Sequence, residues 1–491
     1  MNSSIPFIHP FRTLGGYYLF DVNTNAILPV KKETYIYLEH QLAGNGKQLE
    51  EVPDLSREEE VQNAQQWIKN VQEQGFLSSK RIKKIQHYID PYLEGILENY
   101  MGHIILQVTQ SCNLRCKYCT FSGSYLNRSH SELMMSEETA KKSIDFYIDH
   151  SSETPHLTFG FYGGEPFLNF DLIKRLTLYV KQKARGKKYG FFMTTNGTII
   201  NEEIVQFLVD NDVNLFVSLD GPKEVHDRNR CFVSGRGSYD VVMKNIELAK
   251  KLAPEYVAKK IGFNAVFNSE TPFCSLSRFF TDFEAIKDPL ILATHQNEYS
   301  LKEVEKRVLK PEDLQHYDDL GYEIYKNMLY RNGRLERQDI SKIVLNWEER
   351  DRLEMEENRK LAIEVPDNYH PAGPCIPGAR RLFVTVNGDM YPCERVSETS
   401  GACKLGSHDT GIDLERAKEF LNIGCLTEEE CKNCWAGRFC SACIACADNG
   451  EKMDKNLKLS YCKMFKENAE AKLKKYCSFK EFNISTERQY N

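Results

Sequence analysis

The sequence lacks any hydrophobic run long enough to cross a membrane, and its first residues lack the basic and apolar segments of a secretory signal. It also lacks an excess of positive charge, since 64 lysines and arginines face 70 acidic residues, for a net charge of −6. These absences argue against a membrane protein and against a nucleic-acid partner. They predict a cytoplasmic location. At 491 residues the chain is too long for one ordinary domain.

Cysteine is almost absent from the middle of the chain. Of the 16 cysteines, three lie in the stretch Cys112–Cys119 and eleven lie after position 370, which leaves only Cys231 and Cys274 between them. A cytoplasmic chain keeps its thiols reduced, so clustered cysteines indicate metal binding or redox chemistry. Cys231, Cys274 and Cys477 stand apart from the clusters and are interpreted as structural or incidental.

The first 95 residues form their own pattern. Residues 16–30 predict a strand, an Asn-rich turn and a second strand, and helices follow over Lys32–Leu42 and Ser56–Phe76. A hairpin with short helices predicts a winged-helix-like module over residues 1–95, including a linker.

Six short apolar runs alternate with helical segments over residues 96–310. They read HIILQVT, HLTFGFY, YGFFMTT, NLFVSLD, GFNAVFN and LILATH. This alternation predicts an α/β fold with a parallel sheet curved into a partial (β/α)6 TIM-like barrel. Active sites of such folds lie at the carboxyl ends of the strands. The cysteine trio follows the first strand, GGEP the second, NGT the third and DGP the fourth.

Three regions follow the predicted barrel. Residues 311–372 are charged and helical and predict a bridging region, residues 373–465 hold most of the cysteines, and residues 466–491 predict a C-terminal tail.

Cys112, Cys116 and Cys119 form a C-x3-C-x2-C loop. Three thiolates ligate three irons of a [4Fe–4S] cluster and leave the fourth iron open to a substrate. The alternative is zinc, but a structural zinc site has four protein ligands, and no fourth Cys or His lies nearby in sequence.

The trio after a strand, together with the motifs that follow later strands, resembles the radical S-adenosylmethionine (SAM) superfamily. The resemblance implies that SAM chelates the open iron and is split to a 5′-deoxyadenosyl radical, which abstracts a hydrogen from the substrate. It also implies which residues contact SAM: Tyr118 for adenine, Gly163, Gly164 and Glu165 for the amino group, Ser218 for ribose, Arg230 for the carboxylate and Asn196 as a further contact. For Asn196 an ordinary turn residue is an equal alternative.

The C-terminal cysteines resemble those of the SPASM domain, which carries two auxiliary [4Fe–4S] clusters. The resemblance implies one cluster held by Cys431, Cys434, Cys440 and Cys462, and another held by Cys375, Cys393 and Cys443. The sequence departs from the family pattern in having two residues rather than three after Cys440, which makes Cys446 a rival of Cys443. The fourth ligand of the cluster that includes Cys375 and Cys393 stays open between Cys403, Cys425, Cys446 and a substrate thiolate.

The N-terminal motif GGYYLFDVN resembles the element that recognises leader peptides of ribosomally made, modified peptides. Recognition would proceed by strand addition to the hairpin edge. A DNA-binding winged helix is disfavoured because the module has no basic face, and a structural cap is a further alternative.

Together these features resemble maturases that form thioether links in cysteine-containing precursor peptides, of the sactipeptide and ranthipeptide type. The implied partners are such a peptide, bound through its leader, and an electron donor such as flavodoxin or ferredoxin. Alternatives are a maturase that forms carbon–carbon links, one that acts on a protein as sulfatase-activating relatives do, and a non-catalytic iron–sulfur scaffold.

Overall fold

A computed structural model gives the fold of the chain. It describes residues 5–43, 58–122, 125, 128–184, 186–283, 290–296, 311–371 and 375–481. The predicted helix start at Ser56 lies outside these residues.

The N-terminal module is a three-stranded antiparallel sheet covered by two helices. Its elements are β1 (Ile8–Arg12), β2 (Tyr17–Asp21), β3 (Ala26–Val30), α1 (Lys32–Ala43) and α2 (Glu58–Glu73), with β2 in the centre of the sheet. The predicted hairpin and both helices are present. β1 was not predicted, because Pro10 interrupts its apolar pattern.

Apolar side chains project from both faces of this small sheet. Ile8 and Leu19 pack with Leu38 of α1 in one cluster, whereas Phe11 and Phe20 pack with C-terminal residues in another. The alternation of a strand places these two sets on opposite faces. The sheet is therefore a layer between its own helices and the C-terminal region.

A linker with β4 (Lys84–Ile85) and α3 (Leu93–Asn99) leads into the barrel. The six barrel strands are β5 (His103–Thr109), β6 (His156–Gly163), β7 (Lys188–Thr195), β8 (Asn214–Ser218), β9 (Ile261–Phe267) and β10 (Leu290–His295). All are parallel and lie in sequence order, as the alternating pattern predicts. The intervening helices are α4 (Glu137–Asp149), α5 (Phe170–Lys183), α6 (Glu202–Asp210), α7 (Lys223–Asn229), α8 (Tyr239–Leu252), α9 (Pro254–Lys260) and α10 (Phe273–Thr281).

The bridging region contains α11 (Pro311–Arg331), α12 (Lys342–Leu353) and β11 (Asn368–Tyr369), which pairs with β4. A π-helix over Glu354–Asn358 continues α12.

The barrel sheet continues into the cysteine-rich region. Strand β12 (Leu382–Val384) pairs in parallel with β5. It is followed by three antiparallel strands, β13 (Asp389–Tyr391), β14 (Gly406–Ser407) and β15 (Gly411–Ile412). The remaining helices are α13 (Leu414–Leu421), α14 (Glu428–Lys432), α15 (Lys455–Ser460) and α16 (Cys462–Glu481). Through β12 the cysteine-rich region shares a continuous sheet with the barrel.

Across the described ranges, no helix has the length and apolar character needed to cross a membrane.

Candidate functional site

The cysteine trio lies on the loop that leaves the carboxyl end of β5. Four N–H groups point at its sulfurs. Two are backbone amides, that of Leu114 at 3.4 Å from Cys112 Sγ and that of Phe121 at 3.4 Å from Cys119 Sγ. Two are side chains, Asn196 Nδ2 at 3.7 Å from Cys112 Sγ and Arg230 Nη1 at 3.9 Å from Cys116 Sγ. Such donors stabilise thiolates and the iron–sulfur cluster that thiolates hold.

The trio consists of free thiols that are buried or half-buried. Burial raises the pKa of Cys112 to about 11 and that of Cys116 to about 12. Buried neutral thiols gain little from N–H donors, whereas metal-bound thiolates gain much more. The donor set therefore fits a cluster.

Two consecutive glycines at the carboxyl end of β6 allow a close approach to the end of β5 and the start of the cysteine loop. Gly163 has φ 143°, and a Cβ at this position would lie 2.0 Å from the carbonyl oxygen of Thr109. A Cβ at Gly164 would lie 2.1 Å from the oxygen of Ser111, the residue before Cys112. Only glycine permits this approach, so the GGEP turn positions the start of the cysteine loop.

Glu165 is fully buried and binds the ends of two strands together. Its carboxylate accepts hydrogen bonds from the amide of Asn196 at 2.7 Å, the hydroxyl of Thr195 at 2.8 Å and the amide of Phe167 at 3.2 Å. Burial raises the pKa of Glu165 to about 7, although these hydrogen bonds favour the carboxylate. The structure thus gives Glu165 an anchoring role, and its contact with the SAM amino group stays a prediction.

Asn196 belongs to a hydrogen-bonded network as well as to a turn. Its Nδ2 donates to Asn113 Oδ1 at 2.8 Å, and its Oδ1 accepts from the Thr198 hydroxyl at 2.6 Å. Asn113 Nδ2 donates in turn to Thr198 at 2.8 Å. Asn196 therefore connects the third strand end to the cysteine loop. This connection was not predicted from the sequence.

Tyr118 and Arg230 meet on Asp220, which lies just after β8. The Tyr118 hydroxyl and Arg230 Nε, at 3.0 Å, both donate to Asp220 Oδ2. The guanidinium also lies over the Tyr118 ring, 5.3 Å from its centroid. Burial opposes the charge of Arg230, but Asp220 raises its pKa above the ordinary value. Asp220 therefore fixes two predicted SAM-binding side chains at once.

Neutral His226 supports this arrangement. Burial and Arg230 lower the pKa of His226 to about 3, so its Nδ1 can accept from the Asp220 amide at 3.3 Å. Its Nε2 then donates to the Ser238 hydroxyl, which donates to the Arg230 carbonyl oxygen, both at 2.9 Å. The predicted ribose contact Ser218 ends β8, opposite Asn264 of β9.

We expect Asp220→Asn to weaken SAM binding by about 10- to 100-fold and to destabilise the fold by about 3–5 kcal/mol. Loss of one partner of a buried ion pair leaves the other charge uncompensated. Equilibrium dialysis with SAM and denaturant unfolding measure the two effects.

Asp212→Asn provides the matched control. Asp212 pairs with Lys260 at the surface and has φ 49°, which asparagine tolerates. An Asp220→Asn variant with the SAM affinity of this control would contradict the assigned role of Asp220.

Strands β5 and β6 carry buried polar groups that the sequence patterns did not predict. Tyr162 lies beside Gln107 in the register of β5 and β6. Gln107 donates to Glu398 at 2.7 Å, and Glu398 lies 3.7 Å from the buried guanidinium of Arg128. Burial raises the pKa of Tyr162 to about 12, and Cys119 and Arg128 both act on its phenol. Gln107, Glu398 and Arg128 thus form a buried polar group beside Tyr162.

The cysteines of one predicted auxiliary cluster are neighbours. Cys431 and Cys462 lie close enough to Cys434 to raise its pKa electrostatically, and Cys431 raises the pKa of Cys440 in the same way. Burial raises the pKa of Cys440 to about 11. No three His, Cys, Asp or Glu side chains in the described ranges are grouped as ligands of a single metal ion. Ligands of a four-iron cluster surround a larger group and need not lie that close.

The second predicted set is brought together in part. Burial raises the pKa of Cys393 to about 12, and the nearby thiol of Cys443 contributes to this rise. Cys443 also shares a hydrogen bond with Cys446. Cys446 in turn lies near Cys440 of the other set. Cys375 is exposed, with Arg380 Nη1 3.6 Å from its sulfur. The assignment of Cys375, Cys393 and Cys443 as ligands stays a prediction.

The candidates for the fourth ligand have other partners. Cys403 is fully buried and its thiol donates to Asp448 at 3.3 Å, so burial and this carboxylate raise its pKa well above the ordinary value. The thiol of Cys425 donates to the Ile85 carbonyl oxygen at 3.1 Å. The fourth ligand stays a prediction among Cys403, Cys425, Cys446 and a substrate thiolate.

Comparisons with known proteins identify the central region. Residues 106–262 match the sequence model of the radical SAM superfamily. A cysteine-type anaerobic sulfatase-maturating enzyme from Clostridium perfringens strain 13 is 27% identical over 390 residues, which cover 74% of this chain and 94% of the relative. The match therefore leaves roughly a quarter of this chain uncovered.

Solved structures show the same fold. Native anSMEcpe with bound AdoMet has a TM-score of 0.56 and 23% identity, over 77% of this chain and 99% of that chain. The same enzyme with AdoMet and the Cp18Cys peptide has a TM-score of 0.53 and 21% identity, over 76% and 99%. The chain thus has the α/β fold of radical SAM proteins, with SAM and a [4Fe–4S] cluster as cofactors, and its other clustered cysteines fit auxiliary clusters.

Proposed function

We propose that the chain is a peptide maturase that forms intramolecular thioether links in a ribosomally made, cysteine-containing precursor. The proposal starts from the match of residues 106–262 to the radical SAM superfamily. The comparisons support the coarser statement that it is a radical SAM enzyme with relatives that mature proteins or peptides. The thioether product is our inference.

The observation that carries the proposal is the contact between the N-terminal module and the cysteine-rich region. Arg438, between Cys434 and Cys440, donates to the carbonyl oxygens of Val22 at 2.9 Å and Asn23 at 3.0 Å. Beside it, the ring of Trp435 stacks on His9 with 3.5 Å between centroids. A leader bound to the module would therefore be held beside a predicted auxiliary cluster.

Strand addition at this module would use β3, which is an outer strand of the sheet among the described residues. β3 pairs with β2 on one side, and Pro29 near its end has no N–H to offer a fourth strand. The other outer strand, β1, carries Pro10. Proline on edge strands restricts pairing, so we expect the leader to pair along Ala26–Leu28.

The reaction removes two hydrogens for each link. When bound at the open iron and reduced by one electron, SAM supplies the radical that takes a hydrogen from a peptide carbon. The peptide sulfur would then bond to that carbon and its proton would leave to solvent. An auxiliary cluster, held by the C-terminal cysteines, would supply the acceptor for the surplus electron. In this scheme Tyr118 and Arg230, both held by Asp220, would orient SAM.

The test is anaerobic reconstitution of the full chain with iron, sulfide, SAM, dithionite and a precursor peptide containing leader and cysteines. We expect 5′-deoxyadenosine and a peptide that has lost two hydrogens for each link and resists thiol alkylation. The same peptide without its leader is the control, and we expect at least about a tenfold slower reaction because tethering raises effective concentration. Production of 5′-deoxyadenosine with no change in the peptide would contradict thioether formation.

A second candidate is a sulfatase maturase. It is favoured by the match to 94% of the length of the Clostridium perfringens enzyme. A cysteine-containing sulfatase fragment, added in place of the precursor, discriminates the two functions. Modification of that fragment, with the precursor left unchanged, would favour the second candidate.

A further inference from the structure

Lys458 is a buried cation among the C-terminal cysteines. It lies in α15, with 3% of its surface exposed. Its Nζ donates to the Thr427 hydroxyl at 2.5 Å and lies 3.9 Å from Cys431 Sγ. The same hydroxyl is 3.2 Å from Cys431 Sγ. The ammonium is therefore aimed at a thiol and not at solvent.

Lys458 differs from the other lysines of this region in its partners. Lys455, three residues earlier, pairs with Glu430 at 2.9 Å at the surface, and Lys432 pairs with Glu428 at 3.2 Å. Within the described part of the chain, the ion pairs include no carboxylate for Lys458. The charge of Lys458 also acts on Glu430, but that carboxylate is paired with Lys455. A buried ammonium with no carboxylate in direct contact is unfavourable, which indicates that a further anionic group completes this site.

The surrounding thiols indicate which group that is. Cys462 begins the next helix, α16, and its thiol lies 3.9 Å from the carbonyl oxygen of Lys458. Lys458 thus contacts two of the four cysteines predicted to hold one auxiliary cluster, Cys431 through its ammonium and Cys462 through its backbone carbonyl. Four thiolates around a [4Fe–4S] core carry net negative charge, which a neighbouring ammonium neutralises in part.

We propose that Lys458 is the counterion of the auxiliary cluster held by Cys431, Cys434, Cys440 and Cys462, and that it raises the reduction potential of this cluster. The inference rests on the predicted cluster but not on the identity of the peptide product. One-electron reduction adds a negative charge to the cluster, and a buried positive charge stabilises that form.

The consequence is directional electron flow. When the carbon–sulfur bond forms, the peptide is oxidised by one electron, the thiol proton leaves, and the auxiliary cluster is reduced by one electron. A higher potential makes this cluster the better acceptor. An external one-electron carrier would then reoxidise this cluster.

The test is a redox titration of the reconstituted full chain, followed by electron paramagnetic resonance, without any peptide. In Lys458→Met we expect the reduced fraction of one cluster to fall at least tenfold relative to its oxidised fraction at fixed potential. This corresponds to about 59 mV for a one-electron couple. Lys458→Arg should keep the potential near that of the unchanged protein, and Lys455→Met, which alters an exposed lysine of the same helix, should leave it unchanged.

Iron content decides the other outcomes. Loss of about four of about twelve irons in Lys458→Met, with full loading in Lys458→Arg, would also support a counterion that the cluster needs for assembly. The proposal is overturned if Lys458→Met is fully loaded with an unshifted potential, if Lys458→Met and Lys458→Arg lose the cluster equally, or if the unchanged protein holds only about four irons. A shifted potential in a protein that forms no thioether would contradict the proposed function alone.

Discussion

Cys116→Ala should abolish SAM cleavage while about eight of about twelve irons stay bound, because three [4Fe–4S] clusters contain about twelve. Cys116 is the most buried member of the trio at 8% exposure, and Arg230 Nη1 lies 3.9 Å from its sulfur. An alanine leaves that guanidinium facing a gap and removes one of three ligands from the cluster that binds SAM.

Iron and sulfide analysis together with 5′-deoxyadenosine production measure this effect. Cys231→Ala is the matched control, since Cys231 lies outside the clusters and donates to the Asp227 carbonyl oxygen at 3.0 Å. We expect the control to keep full iron content and SAM cleavage. Loss of all iron in Cys116→Ala would show that the three clusters are not separate, and retained SAM cleavage would refute the assignment of the trio.

Much of the barrel could be predicted from the sequence. Its six strands are apolar runs of five to eight residues, and such runs separated by amphipathic helices specify a parallel sheet. The trio, GGEP and Asn196 could be placed together because parallel strands bring their carboxyl ends to one edge. Strands β12 to β15 were not predicted, since runs of two or three residues show no periodicity.

Partner residues inside the site were harder to predict. Asp220 stands in a DGP turn, where aspartate is ordinary, and only the fold shows that Tyr118 and Arg230 converge on it. Lys458 lies in a lysine-rich stretch that suggests a solvated helix face, and its burial depends on the packing of α15 against the segment around Thr427. In both cases the signal is a contact between distant parts of the chain, which local patterns do not encode.

Gly163→Ala should reduce SAM cleavage by about 100-fold or more. The added Cβ would lie 2.0 Å from the Thr109 carbonyl oxygen, which also accepts the Gly164 amide at 3.0 Å. Relief of the contact requires a shift of about 1 Å in the strand that leads to Cys112, and a misplacement of that size costs about 100-fold in rate. The φ of 143° adds strain, because residues with a Cβ rarely adopt it.

The measurement is 5′-deoxyadenosine production with excess SAM, combined with iron analysis and thermal unfolding. Gly95→Ala is the control, because Gly95 lies in α3 with nothing within 4 Å of an added Cβ. Alanine there should preserve activity and stabilise the helix by up to about 1 kcal/mol. If Gly163→Ala binds full iron and cleaves SAM at the rate of this control, then contact between the GGEP turn and the Thr109 strand end does not position the cluster loop. If instead it binds full iron but cleaves SAM slowly, the turn acts by placing SAM against a cluster that is already assembled.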